Sequence, residues 1–64
     1  MRYLVKCGYR TATGFPSMTD YPTHFDTVEV EADDVPAART EAIDVMYSKH
    51  TNIEHVKPMT VKEA

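Results

Sequence analysis

The stretch DDVPAARTEAIDVMYSKH, residues 33–50, decides the fold. Val35, Ala38, Ala42, Val45 and Met46 recur at helical spacing, with Ile43 on the flank, and gather into one apolar arc. Glu41, Asp44, Ser48 and Ala37 fall on the opposite side and face water. Asp33 or Asp34 is placed to accept the free N–H groups of the first turn, and its charge suits the positive end of the helix dipole. Pro36 is tolerated because a first-turn residue has no intrahelical N–H bond to lose. Lys49 and His50 put favourable charge in the last turn. With no Gly following, Thr51-Asn52 is the expected stop, Asn52 taking the left-handed conformation. Arg39 falls inside the apolar arc. Snorkelling of its guanidinium to solvent accounts for it better than an anion or partner contact does.

Around this helix the chain is short. Its 64 residues allow one domain, 1–64. A chain of that size buries roughly 60% of its unfolded surface, so a homodimer or a bound partner would add stability. The single cysteine, Cys7, excludes an internal disulfide and removes any need for an oxidising compartment. No apolar run approaches the roughly 18 residues of a membrane span. The opening MRYLVKCGYR, residues 1–10, has charges among its apolar residues and no cleavage pattern, unlike a signal peptide. The expectation is a cytoplasmic protein without a membrane partner.

Arg2 to Arg10 reads as a strand. Tyr3, Val5, Cys7 and Tyr9 alternate with Arg2, Leu4, Lys6, Gly8 and Arg10, so the first set faces the helix and the second forms a cationic row. Residues 11–23 read as a long loop, with Gly14, two X-Pro steps and several hydroxyl residues. Its Phe15, Met18 and Tyr21 are aromatic and apolar anchors of the kind binding loops use, or they fold back over an open sheet face. His24 to Ala32 reads as a second strand. Val28, Val30 and Ala32 point one way; Thr27, Glu29 and Glu31 point the other, where they meet Arg2 and Lys6 across strands. Phe25, out of phase with the valines, lies on the open face or follows a bulge. Ile53 to Val61 reads as a third strand in which neither parity is cleanly apolar. Pro58 makes it an edge strand or a bulged one, and residues 62–64 are expected to fray.

The order β-β-α-β then gives an α+β fold. Strand one is central, the strand order is 2-1-3, and one helix covers one face of a three-stranded sheet.

Chemistry-bearing patterns are sparse. His24, His50, His55 and Cys7 lack the close ligand pairs of zinc sites. Two glycines cannot build a phosphate cradle. The pairs Glu29/Glu31 and Asp33/Asp34 are accounted for by cross-strand pairing and capping, and one helix on a small sheet encloses no desolvated pocket for acid–base work. The chain therefore reads as a non-enzyme with no cofactor and no metal. Its charge of −3 does not favour nucleic-acid binding, although a local basic patch is compatible with it.

Two function classes remain. The first is a protein-binding module that docks through the loop residues Phe15, Met18 and Tyr21, through an acidic edge in which Glu29, Glu31, Asp33 and Asp34 lead to Glu41 and Asp44, or through both. Such an edge fits a basic groove on a host nucleic-acid-binding complex. The second is an RNA- or ribosome-associated module that uses Arg2, Lys6, Arg10 and Lys57 on the sheet.

Resemblances parallel these two classes. The β-β-α-β unit, the acidic balance and the passage VEVEADD…A…EAI, from Val28 to Ile43, resemble the short accessory proteins of phages and mobile elements. That resemblance implies an inhibitor, of anti-restriction or anti-CRISPR type, that plugs a host complex. Phe25 with Val28 to Ala32, then Ser48-Lys49-His50 and Ile53, is similar to archaeal LX-type ribosomal proteins, which implies contact with ribosomal RNA.

Overall fold

A computed structural model describes residues 1–12 and 21–64. The elements are β1 (Arg2–Thr11), β2 (His24–Glu31), α1 (Val35–Lys49) and β3 (Ile53–Glu63). The sheet order is β2-β1-β3, and both outer strands run antiparallel to β1. The α+β architecture read from the sequence is the observed one. Phe15 and Met18 lie outside the described residues.

α1 begins where the capping chemistry requires. Asp34 is the N-cap, extended at φ −152°, and its Oδ1 accepts the Ala37 N–H at 2.9 Å. His50 ends the helix, donating its backbone N–H to Met46 O at 2.9 Å, and Asn52 turns the chain at φ 57°. Ala38, Ala42 and Met46 are fully buried. Two alanines there let the helix axis approach the sheet closely, and Met46 fills the remaining space at the far end. The apolar arc is narrower than its sequence pattern: Val35, in the first turn, remains 40% exposed. Arg39 is exposed and makes no ion pair among the described residues.

Tyr3, Val5 and Cys7 of β1 and Val28 and Val30 of β2 complete the buried core, with Tyr9, Ala32, Val45, Ile53, Val56 and Val61 packed at its edge. β1 and β2 keep strict alternation over the register from Arg2↔Glu31 to Tyr9↔His24. β3 does not. Between Lys6↔Thr60 and Cys7↔Pro58 it carries Met59 as an extra residue. Between Gly8↔Lys57 and Arg10↔Glu54 it sets His55 and Val56 against Tyr9 alone. Each bulge shifts the strand's parity by one. That is why Ile53, Val56 and Val61, which share no single parity, all reach the core. His55 carries the local distortion at φ 53°, a left-handed value for a residue with a Cβ.

The end of β3 corrects the expected fraying. The strand runs on through Glu63, and the Ala64 N–H donates to Arg2 O at 3.0 Å. Backbone bonds to β1 satisfy groups that would otherwise hold the terminus in water, and this brings Lys62 into the sheet opposite Leu4.

Candidate functional site

The face of the sheet turned away from α1 carries most of the chain's positive charge. Successive rows across it are Arg2 beside Glu31; Leu4 between Glu29 and Lys62; Lys6 between Thr27 and Thr60; Gly8 between Phe25 and Lys57; and Arg10 beside Glu54. Directly paired residues of an antiparallel sheet share a face. Arg2, Lys6, Arg10, Lys57 and Lys62, five of the chain's seven Lys and Arg residues, therefore sit together. The acids on this face, Glu29, Glu31 and Glu54, lie toward its margins: the first two on β2, the third at the start of β3.

Several of these cations have company. Arg2 Nη1 lies 3.3 Å from Glu29 Oε1, with both side chains more than half exposed, so the pair contributes little to stability. Arg10 donates from Nη1 to Tyr21 O, which pins the chain just before Pro22. Lys6 Nζ stands 5.0 Å from the centroid of the Phe25 ring, a cation–π contact on an open surface. Phe25 is 51% exposed and Tyr21 78% exposed. Pro22 packs over Gly8: a Cβ added at Gly8 would sit 2.6 Å from Pro22 Cβ and 3.0 Å from Met59 Sδ. The part of the inter-strand segment nearest β2 thus lies across the sheet.

Beside that strap lies a concavity of about 240 Å³ lined by Leu4, Lys6, Thr27, Thr60 and Lys62. It is smaller than the roughly 300–1,000 Å³ of sites that enclose small molecules. Two lysines and two threonines line it together with Leu4, the Lys6 ammonium itself standing over the Phe25 ring.

A second polar cluster sits on the helix side. Asp26 Oδ2 lies 2.8 Å from His50 Nε2 and 3.0 Å from Lys49 Nζ, while Oδ1 accepts the Thr27 N–H at 2.9 Å. The hydrogen bond to His50, then that to Lys49, holds the Asp26 carboxyl below the ordinary carboxylate range. Tyr9 stacks obliquely on both imidazoles, with centroids 5.0 Å from His50 and 5.5 Å from His24. The Asp–His pair has the form of a catalytic dyad, but the thiol nearest it is unsuited to nucleophilic work. Cys7, paired with Asp26 in register, is fully buried, and burial, followed by the charge of Asp26, pushes its thiol up. The cluster instead ties the C-terminus of α1 to β2. Asp26 shares the parity of Val28 and Val30. That a carboxylate sits on the core row, where a Lys-His helix end arrives, is the sequence signal that points to the clasp.

The residues expected to form one acidic edge are divided between the two layers. Glu29 and Glu31 lie on the open sheet face beside Arg2 and Leu4. Glu41 and Asp44 are exposed on α1, which covers the other face. The four basic residues expected on the sheet are brought together there, and Lys62 joins them.

Among the described residues, no group of three or more His, Cys, Asp or Glu side chains is arranged to hold a metal ion, and no helix is long and apolar enough to cross a membrane. The fold and this surface define a class: a small two-layer α+β domain whose helix-free sheet face is, among the described residues, exposed and cationic. No protein-family model matches the chain, and neither does any curated protein or solved structure.

Proposed function

We propose that this protein is a non-catalytic binding module that holds single-stranded nucleic acid on the open face of its sheet, in the cytoplasm, where a lone reduced cysteine is stable. One observation carries the reading: five of seven basic side chains stand on one face around an exposed phenylalanine, in a chain whose net charge is −3. Single strands are bound by that combination, a positive track for the backbone and aromatic rings for the bases. A three-stranded sheet backed by a helix offers the track on a rigid support.

Fluorescence anisotropy of a labelled oligouridine tests this. Binding is expected at about 50 mM salt, and it should weaken toward 200 mM with a log–log slope of roughly −2 to −3, since each neutralised single-strand phosphate contributes about −0.7. No binding at about 50 mM salt would overturn the reading.

A second reading rests on the helix side. Glu41 and Asp44 are exposed there, make no ion pair among the described residues, and follow the acidic pair Asp33 and Asp34 along the chain. Such a face fits an accessory or inhibitor protein that docks on the basic groove of a host nucleic-acid-binding complex, with Phe15, Met18 and Tyr21 as further contacts. Capture of a basic partner that is lost at high salt, and lost in Glu41→Gln/Asp44→Asn, would favour it. Capture unchanged by that double substitution would rule it out.

A further inference from the structure

We propose that the concavity between Lys6 and Lys62 is the seat of one phosphodiester of a bound single strand, and that Lys6 leaves the Phe25 ring to reach it, freeing that ring for a base. This rests on the nucleic-acid reading above and gives it a specific site.

The concavity has the chemistry of an anion seat. Lys6 and Lys62 supply positive charge from adjacent strands, and Thr27 and Thr60 flank Lys6 in one straight row across the sheet. Two hydroxyl donors and two ammonium groups match the oxygens of a phosphodiester, whose hydrogen bonds to charged donors are the strong kind. Leu4 provides an apolar patch for the adjoining sugar. At about 240 Å³ the space accommodates one unit of a chain rather than enclosing a free metabolite.

Phe25 stands one row along the same face, two residues from Thr27. Same-face rows are about 6.5–7 Å apart, so a phosphate at Thr27 leaves a neighbouring base within reach of the ring. In the unbound protein Lys6 caps that ring. A flexible four-carbon ammonium can swing from a ring face to a phosphate, and the exposed cation–π contact it gives up is weak. Lys6 thus shields the aromatic surface when the site is empty and uncovers it when a strand binds. Glu29 and Glu31, at the β2 corner, repel a backbone from that side and direct it along β1 and β3.

The test compares two probes, a labelled oligouridine and inorganic polyphosphate of similar length, on folded variants checked by circular dichroism. Lys62→Gln and the double change Thr27→Ala/Thr60→Ala should each weaken both probes. Phe25→Ala should weaken the oligouridine by at least about fivefold, the lower bound for one stacked base, and leave polyphosphate unchanged. Arg39→Gln, on the helix, should change neither. Wild-type binding to oligouridine that ignores Lys62→Gln and the threonine changes would overturn the seat while leaving the broader reading standing. Equal loss of both probes in Phe25→Ala would overturn the exchange of Lys6 for a base. Absence of any wild-type binding would overturn both proposals together.

Discussion

Asp26 and His50, 24 residues apart in the chain, are joined by a 2.8 Å contact that fastens the end of α1 to β2. Lys49 brings its ammonium to the same carboxylate at 3.0 Å. The helix C-terminus carries partial negative charge, so Lys49 in the last turn also suits the dipole. Asp26 serves as the anchor for that end of the helix.

Removing its charge should loosen the clasp. Asp26→Asn is expected to lower unfolding stability by about 1 kcal/mol, less than a buried charge-assisted hydrogen bond because the site is partly exposed and screened by solvent. The pH dependence follows from the depressed carboxyl. Its contribution is present above the unfolded value of about 3.9 and is lost as pH falls through the lower folded value. Urea titrations at several pH values should show an acid-side loss in the wild type that is smaller in Asp26→Asn.

The Cys7 thiol gives the opposite limb. Its folded value is raised, so its contribution is intact below the unfolded value of about 8.5 and declines as pH rises. In native protein near neutral pH the thiol should resist a disulfide reagent and react fully once urea unfolds the chain. Rapid reaction of the native protein would contradict its burial.

Gly8 is where Pro22 crosses the sheet. A methyl group there meets the pyrrolidine ring at 2.6 Å, and a ring fixed in the backbone cannot move aside as a flexible side chain could. Gly8→Ala should cost roughly 1–3 kcal/mol, measurable by thermal or urea unfolding. An unchanged midpoint would mean that the strap is displaced without penalty.

At His55 the backbone is left-handed, which costs an L-residue roughly 1–2 kcal/mol relative to glycine. His55→Gly should therefore be neutral or stabilising, the gain being partly offset by glycine's greater unfolded-state freedom. His55→Val should be clearly destabilising, because a β-branched side chain tolerates this conformation least.

Sequence and structure agree where one local period runs unbroken. The 3.6-residue spacing of Ala38, Ala42 and Met46 and the two-residue alternation of Tyr3, Val5 and Cys7 each name the face they bury. β3 defeats that reasoning, because the bulges at Met59 and at His55–Val56 change parity twice in one strand. Ending that strand at Val61 also leaves out Lys62, which lines the proposed phosphate seat. Of the four cations assigned to the sheet, Arg2, Lys6 and Arg10 follow from the parity of β1, whereas Lys57 reaches that face through the bulges of β3. The Asp26–His50 clasp leaves one trace in the sequence, a carboxylate on the core parity of β2, while its pairing with His50 is fixed by tertiary placement. The acidic residues expected along one edge are divided between the layers, Glu31 on β2 and Glu41 on α1.

The central claim is that the sheet face, rather than the helix, is the working surface. The most direct measurement is a two-dimensional amide NMR titration of the isotopically labelled protein with an oligouridine. The account predicts shifts concentrated at Lys6, Phe25, Thr27, Thr60 and Lys62, with Glu41 and Asp44 unmoved. Shifts confined to α1, or no shifts at all at low salt, would contradict it.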